Sequence, residues 1–105
     1  MKIGIILSTN DAEIAWNALR FANTAILDEH RVKIFLLGKG VEIENIKDEK
    51  FNVVEQIDKL KQLGGTMLAC GTCIKSRNMQ FEVCPISTMK DMLKLVTESD
   101  RVLTF

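Results

Sequence analysis

The sequence predicts an α/β protein: a three-layer α/β/α arrangement around a parallel sheet of about five strands. Three observations lead there. Short apolar runs closed by turn formers recur along the chain, at Ile3–Leu7, Val32–Leu37, Thr66–Ala69, Phe81–Ile86 and Arg101–Phe105. The segments between them have the apolar spacing of helices. Strands that are apolar throughout, joined by crossovers of helical length, belong to sheets buried on both faces, with right-handed connections. At 105 residues and 11.8 kDa the chain is expected to form a single domain over residues 1–105.

Taken in order, Ile3–Leu7 is rich in β-branched residues and ends at the polar stretch Ser8–Asp11. Asn10 with Glu13 three residues on is a capping pattern, and Ile14, Ala18, Phe21, Ala22 and Ala25 recur at helical spacing behind it. Val32–Leu37 repeats the strand signal and stops at Gly38-Lys39-Gly40. The charged stretch Glu42–Lys50 lacks periodicity and reads as a mobile surface loop. Asn52 with Glu55 caps the next helix, Val53, Ile57 and Leu60 form its stripe, and Gly64-Gly65 is its stop. Thr66–Ala69 is a third strand, followed by Cys70-Gly71-Thr72-Cys73 and a short helical segment to about Met79. Pro85 near the end of Phe81–Ile86 suits an edge strand, because proline cannot donate to the ladder. Thr88 with Asp91 caps a last helix bearing Met89, Met92, Leu93 and Val96 before the closing strand.

Composition excludes several classes. The chain is 47% hydrophobic and 27% charged, close to ordinary globular proteins, so disorder and fibrous repeats are not expected. Fourteen basic residues balance fourteen acidic ones, which leaves no field to attract nucleic acid or an anionic membrane. The apolar run at residues 3–7 is too short for a signal peptide, and no stretch has the length of a transmembrane helix. Three cysteines do not make a disulfide framework, and an odd number suits the cytoplasm better than an oxidising compartment.

In open parallel sheets the reactive groups gather at the carboxyl ends of the strands. Three segments fall there: Ser8–Asp11, Gly38–Gly40 and Cys70–Cys73. The cysteine segment carries the most chemistry. Cys70 stands where a strand gives way to a helix, so the helix end, with Lys75 and Arg77 nearby, should favour its thiolate. Cys73 falls on about the same helical face and could pair with Cys70 or resolve a persulfide on it, and Cys84 is a third neighbour if the fourth strand pairs with the third. The plainer alternative is that the cysteines are small buried hydrophobes. Zinc would need Cys84 and His30 to complete the set, but His30 belongs at the amino end of the sheet, about one strand length (roughly 17–20 Å) away. Gly38–Gly40 reads better as a tight turn, and Ser8–Asp11 as a helix cap, than as phosphate cradles. No cofactor and no metal are expected. Trp16, off the main stripe, is either partial core or a subunit contact.

The order of elements resembles the DsrE/DsrF-like family of sulfur-relay proteins. So do Leu37-Gly38-Lys39-Gly40-Val41 after the second strand, Cys70-Gly71-Thr72-Cys73-Ile74-Lys75-Ser76-Arg77 after the third, and the ending Ser99-Asp100-Arg101-Val102-Leu103-Thr104-Phe105. The resemblance covers the whole chain. It implies a compact α/β/α fold, assembly as a homotrimer or homohexamer, and carriage of sulfur as a cysteine persulfide for tRNA thiolation or dissimilatory sulfur metabolism. The family's sulfur-carrying cysteine corresponds to Cys70, and Cys73 matches the second cysteine of a small-protein branch. Asn78 departs from the glycine that commonly follows the arginine.

The leading expectation is a persulfide carrier or sulfurtransferase subunit, with Cys70 as acceptor and Cys73 as resolving or auxiliary thiol. Its partners would be donor and acceptor proteins or small polysulfides, with no direct contact to nucleic acid or membrane. A thiol–disulfide switch using Cys70 and Cys73 and a non-catalytic oligomeric binding module are the alternatives.

Overall fold

Residues 1–77 and 86–105 are described by a computed structural model. Five strands form one parallel sheet: β1 (Lys2–Leu7), β2 (Arg31–Leu36), β3 (Thr66–Cys70), β4 (Ile86–Ser87) and β5 (Arg101–Thr104). The spatial order is β4-β3-β2-β1-β5, so the chain starts near the middle, winds outward to β4 and returns to the opposite edge. Leu7 lies beside Leu36, Leu36 beside Ala69, and Cys70 beside Ser87, which brings four carboxyl ends into one row. β4 is an edge strand. The expected strand residues Phe81–Pro85, and Met79 and Cys84 with them, lie outside the described residues.

Alternation along the strands divides the core. Ile3, Ile5, Leu7, Val32, Ile34, Leu36, Met67 and Ala69 face α1 (Ala12–Leu27) and α2 (Val53–Gln62). Phe35, Leu68 and Cys70 face the other way, where Leu95 and Met92 of α4 (Met89–Glu98) cover them. Gly4 makes room there, because a Cβ on it would lie 2.5 Å from Leu95 Cδ2. Each fully buried aliphatic side chain contributes about 1.5–3 kcal/mol, so the α1/α2 layer supplies most of the driving force.

Several local expectations shift. α1 is capped by Asp11, whose carboxylate accepts the Ile14 N–H at 2.9 Å, while Asn10 reaches across to Glu42. The buried stripe is Ala15, Ala18, Leu19, Ala22 and Ala25, and Ile14 and Phe21 are 45% and 42% exposed on its flank. The Glu42–Lys50 loop is corrected in its first half. Gly38–Asn45 is a 3₁₀ helix with Val41 and Ile43 wholly buried, and Glu42 between them and Glu44 after them are half-buried on a packed turn. On α4 the buried residue is Leu95, whereas Met89 and Leu93 are 54% and 63% exposed. The caps at Asn52 and at Thr88/Asp91 are present as expected, and Gly64 adopts φ +82 behind α2.

Trp16 is half-buried, edge-on to Phe51 at 5.3 Å between centroids, with the Arg20 guanidinium over its ring. Among the described residues no helix is long and apolar enough to cross a membrane.

Candidate functional site

The row of carboxyl ends gathers the three segments singled out by the sequence, with different outcomes. At Ser8–Asp11, Asp11 puts a carboxylate at the start of α1, so this end already carries an anion. At Gly38–Gly40 the glycines answer to the backbone. Gly38 has φ +56, and a Cβ on Gly40 would lie 2.0 Å from the Leu7 carbonyl oxygen. That close approach packs the start of the 3₁₀ helix against the end of β1 and turns the Gly38 N–H toward α3 (Gly71–Ser76).

Cys70 ends β3 and is the N-cap of α3. Its side chain points to the α4 side, against Phe35 and Leu95, and the residue is 3% exposed. It also lines a pocket of about 260 Å³, together with Thr72 and Lys75 of α3 and Ser87 and Thr88 where β4 leads into α4. Burial pushes the Cys70 thiol above its ordinary pKa. The N–H groups of Cys73 and Thr72 pull the other way, and contact with the Cys73 sulfur raises it further. This corrects the expectation of a favoured thiolate. A six-residue helix has little dipole to offer, and a thiol enclosed by Phe35 and Leu95 loses more solvation than two N–H groups restore.

Cys73 is half-buried and packs against both core layers. Its sulfur accepts the Gly38 N–H at 3.3 Å, on the side toward the 3₁₀ helix. Neither Cys70 nor Cys73 is in a disulfide. The Cys73 carbonyl is held as well, by the Ser76 hydroxyl at 2.9 Å and Arg77 Nη1 at 3.1 Å. Arg77 Nε in turn donates to Glu42 Oε2 at 2.7 Å, and Asn10 Nδ2 donates to Glu42 Oε1 at 3.3 Å. Those two partners hold the Glu42 carboxyl below its usual range. The Arg77 charge is therefore paired with Glu42, and Lys75 is the cation that borders the pocket.

Glu42 is the site residue that sequence reasoning missed, and Gly38, read as part of a tight turn, gains a role there as the donor to the Cys73 sulfur. Adjacency of the β2 and β3 ends was the available signal, because it brings the residues after Leu36 alongside those after Ala69. His30 lies at the opposite end of the sheet, its Nδ1 within 2.8 Å of the Met1 amino group. Among the described residues no cluster of three or more His, Cys, Asp or Glu side chains is arranged to hold a metal.

The DsrE/DsrF-like family profile matches residues 1–105. The chain belongs to the DsrE/DsrF-like family. Membership suggests sulfur relay. An uncharacterized protein of Methanocaldococcus jannaschii is 38% identical over 114 residues, covering 100% of both chains. Another, from Methanopyrus kandleri, is 38% identical over 101 residues, covering 89% of this chain and 83% of its own. The solved structure of a conserved protein of unknown function from Bacteroides thetaiotaomicron superposes with a TM-score of 0.81. It is 17% identical and covers 99% of this chain and 94% of its own, a likeness of fold. In this DsrE/DsrF-like chain Cys70 and Cys73 lie side by side.

Proposed function

We propose that the protein carries sulfane sulfur as a persulfide on Cys70, loaded by a donor protein or small polysulfide and unloaded to an acceptor protein in the cytoplasm. The observation that carries this reading is that Cys70 lines a pocket whose lining also includes Lys75. An added outer sulfur has room there and a cation beside it. In loading, the Cys70 thiolate attacks the terminal sulfur of a donor persulfide. The new S–S bond forms on Cys70, the donor's S–S bond breaks, and the donor thiolate leaves with the electron pair, so the step is redox-neutral.

Because burial raises the Cys70 pKa, the thiol is mostly protonated at neutral pH, and loading accelerates as pH rises toward that raised value. The test is intact-mass spectrometry after incubation with inorganic polysulfide and desalting. Wild type gains one sulfur that maps to Cys70, and Cys70→Ser does not load at this position. Loading of Cys70→Ser to the wild-type extent would overturn the assignment.

The protein is further proposed to act as a homo-oligomer, a trimer or hexamer, through the apolar stripe Met89, Leu93 and Val96 on the outer side of α4. A purely monomeric sedimentation profile at micromolar concentration would refute this. The closeness of Cys73 to the cluster that holds Cys70 also favours a second reading, a thiol–disulfide switch. It predicts a reversible Cys70–Cys73 disulfide at a measurable dithiol potential with no sulfur loading.

A further inference from the structure

We propose that Cys73 is a discharging thiol: it attacks the inner sulfur of a Cys70 persulfide, releases the outer sulfur as hydrogen sulfide and closes a Cys70–Cys73 disulfide. This rests on the reading of Cys70 as the carrier and names the product of sulfur that no acceptor has taken. Three observations carry it. Cys73 packs against the cluster formed by Phe35, Cys70 and Leu95, three residues from Cys70 at a helical spacing that suits a disulfide. The pocket available to an outer sulfur is bounded by Thr72, Lys75, Ser87 and Thr88, whereas Cys73 faces Gly38. Attack by Cys73 from that side and departure of the outer sulfur into the pocket are thus compatible with an in-line exchange. Finally, the Gly38 N–H on its sulfur, together with Ser76 and Arg77 on its carbonyl, fixes Cys73 in this position.

The step balances without an outside oxidant. The Cys73–S to Cys70–S bond forms and the Cys70–S to outer-sulfur bond breaks. The outer sulfur departs with the electron pair and takes up a proton, while the Cys73 thiol proton is lost. The two cysteines are oxidised to the disulfide, and the sulfane sulfur is reduced to sulfide. The disulfide must then be reopened by an external dithiol reductant before the next cycle. An acceptor protein therefore competes with an internal clock, and a carrier that meets no acceptor empties itself.

The experiment loads fully reduced protein with inorganic polysulfide, removes the excess, and follows intact mass, released sulfide and disulfide-linked peptides over time. Wild type is expected to lose its persulfide, releasing one sulfide for each Cys70–Cys73 disulfide formed. Cys73→Ser is expected to load at Cys70 and hold its persulfide at least about tenfold longer, the advantage of a neighbouring thiol being intramolecular. Equal decay in wild type and Cys73→Ser overturns the discharge while leaving the carrier reading intact. Sulfur mapping away from Cys70 in Cys73→Ser overturns both. Wild type gives a second measurement independent of how the variant folds: sulfide released without a Cys70–Cys73 disulfide, or with one involving Cys84, also overturns the discharge.

Discussion

The two faces of the sheet are packed on different scales. On one, α1, α2 and the 3₁₀ helix enclose alternate side chains of β1, β2 and β3, from Ile3 to Ala69. On the other, among the described residues, the ten-residue α4 meets Phe35 and Cys70 through Leu95, and its remaining apolar residues stay partly or largely exposed. Cys70 lies on the second face. A thiol on the first would be locked among interdigitated aliphatics, and reaching it would require disrupting the main core. On the second, among the described residues, it is closed off by one helix and one turn. Stability and access to the sulfur are therefore assigned to opposite sides of the same strands, and substitutions on the two faces should have separable effects.

The largest stability effect should come from the heavier face. Leu60 on the inner face of α2 is wholly buried, and Leu60→Ala is expected to lower unfolding free energy by about 2–5 kcal/mol in urea titrations. Under native conditions it should leave the alkylation rate of Cys70 unchanged. Leu95→Ala should cost less, about 2–3 kcal/mol, because the space it leaves adjoins solvent and can close more readily. It should also raise Cys70 alkylation severalfold at neutral pH and bring its pH profile down toward an ordinary thiol, since burial is the leading cause of the raised value. Equal acceleration by Leu60→Ala and Leu95→Ala would show that the two faces are not independent.

Most of the fold is legible in the sequence because apolar strand runs and helix capping are local signals. The apolar runs mark the strands, Asn52 and the Thr88/Asp91 pair mark helix starts, and Cys70 falls at a strand end where parallel sheets keep their chemistry. What misleads is helix rotation. On α1 both Ile14/Phe21 and Ala15/Leu19/Ala22 satisfy helical spacing, and close packing against α2 selects the alanine-rich set. On α4 no spacing rule reveals that Leu95 is buried and Leu93 is left out. The 3₁₀ helix is hidden because its period of three aligns Gly40 with Ile43, a pair with one apolar side chain, among glycines and charged residues. The partnership of Gly38 with Cys73 and of Glu42 with Arg77 arises from neighbouring strand ends, contacts 35 residues apart in sequence.

A smaller effect on the lighter face should come from the cap of α4. The Asp91 carboxylate accepts the Thr88 N–H at 2.8 Å and its hydroxyl at 3.2 Å. Thr88→Ala is expected to cost about 1 kcal/mol in the same titration. Thr88 also borders the Cys70 pocket, so its loss should loosen the turn there and accelerate alkylation, though less than Leu95→Ala does. No acceleration would mean that the turn does not control access.

The smallest expected effect belongs to the clasp on Cys73, and pH is the way to read it. Arg77 and then Asn10 hold the Glu42 carboxyl below its ordinary pKa in the folded protein. A depressed value means the charged form is favoured by folding. The contribution is complete above the unfolded-state pKa and is lost as pH falls through the folded one. At neutral pH Glu42→Gln should therefore lower the urea midpoint slightly, by less than Thr88→Ala, because the Arg77 and Glu42 side chains are 28% and 35% exposed and solvent screens them. The gap between wild type and variant should narrow as pH falls from the ordinary carboxylate range into stronger acid, and should narrow with added salt at neutral pH. A gap independent of both pH and salt would mean that Glu42 acts through its hydrogen-bond geometry rather than its charge. Loosening the clasp should also release Arg77 from the Cys73 carbonyl, so Cys73 alkylation should rise in Glu42→Gln while Cys70 alkylation stays at the wild-type rate.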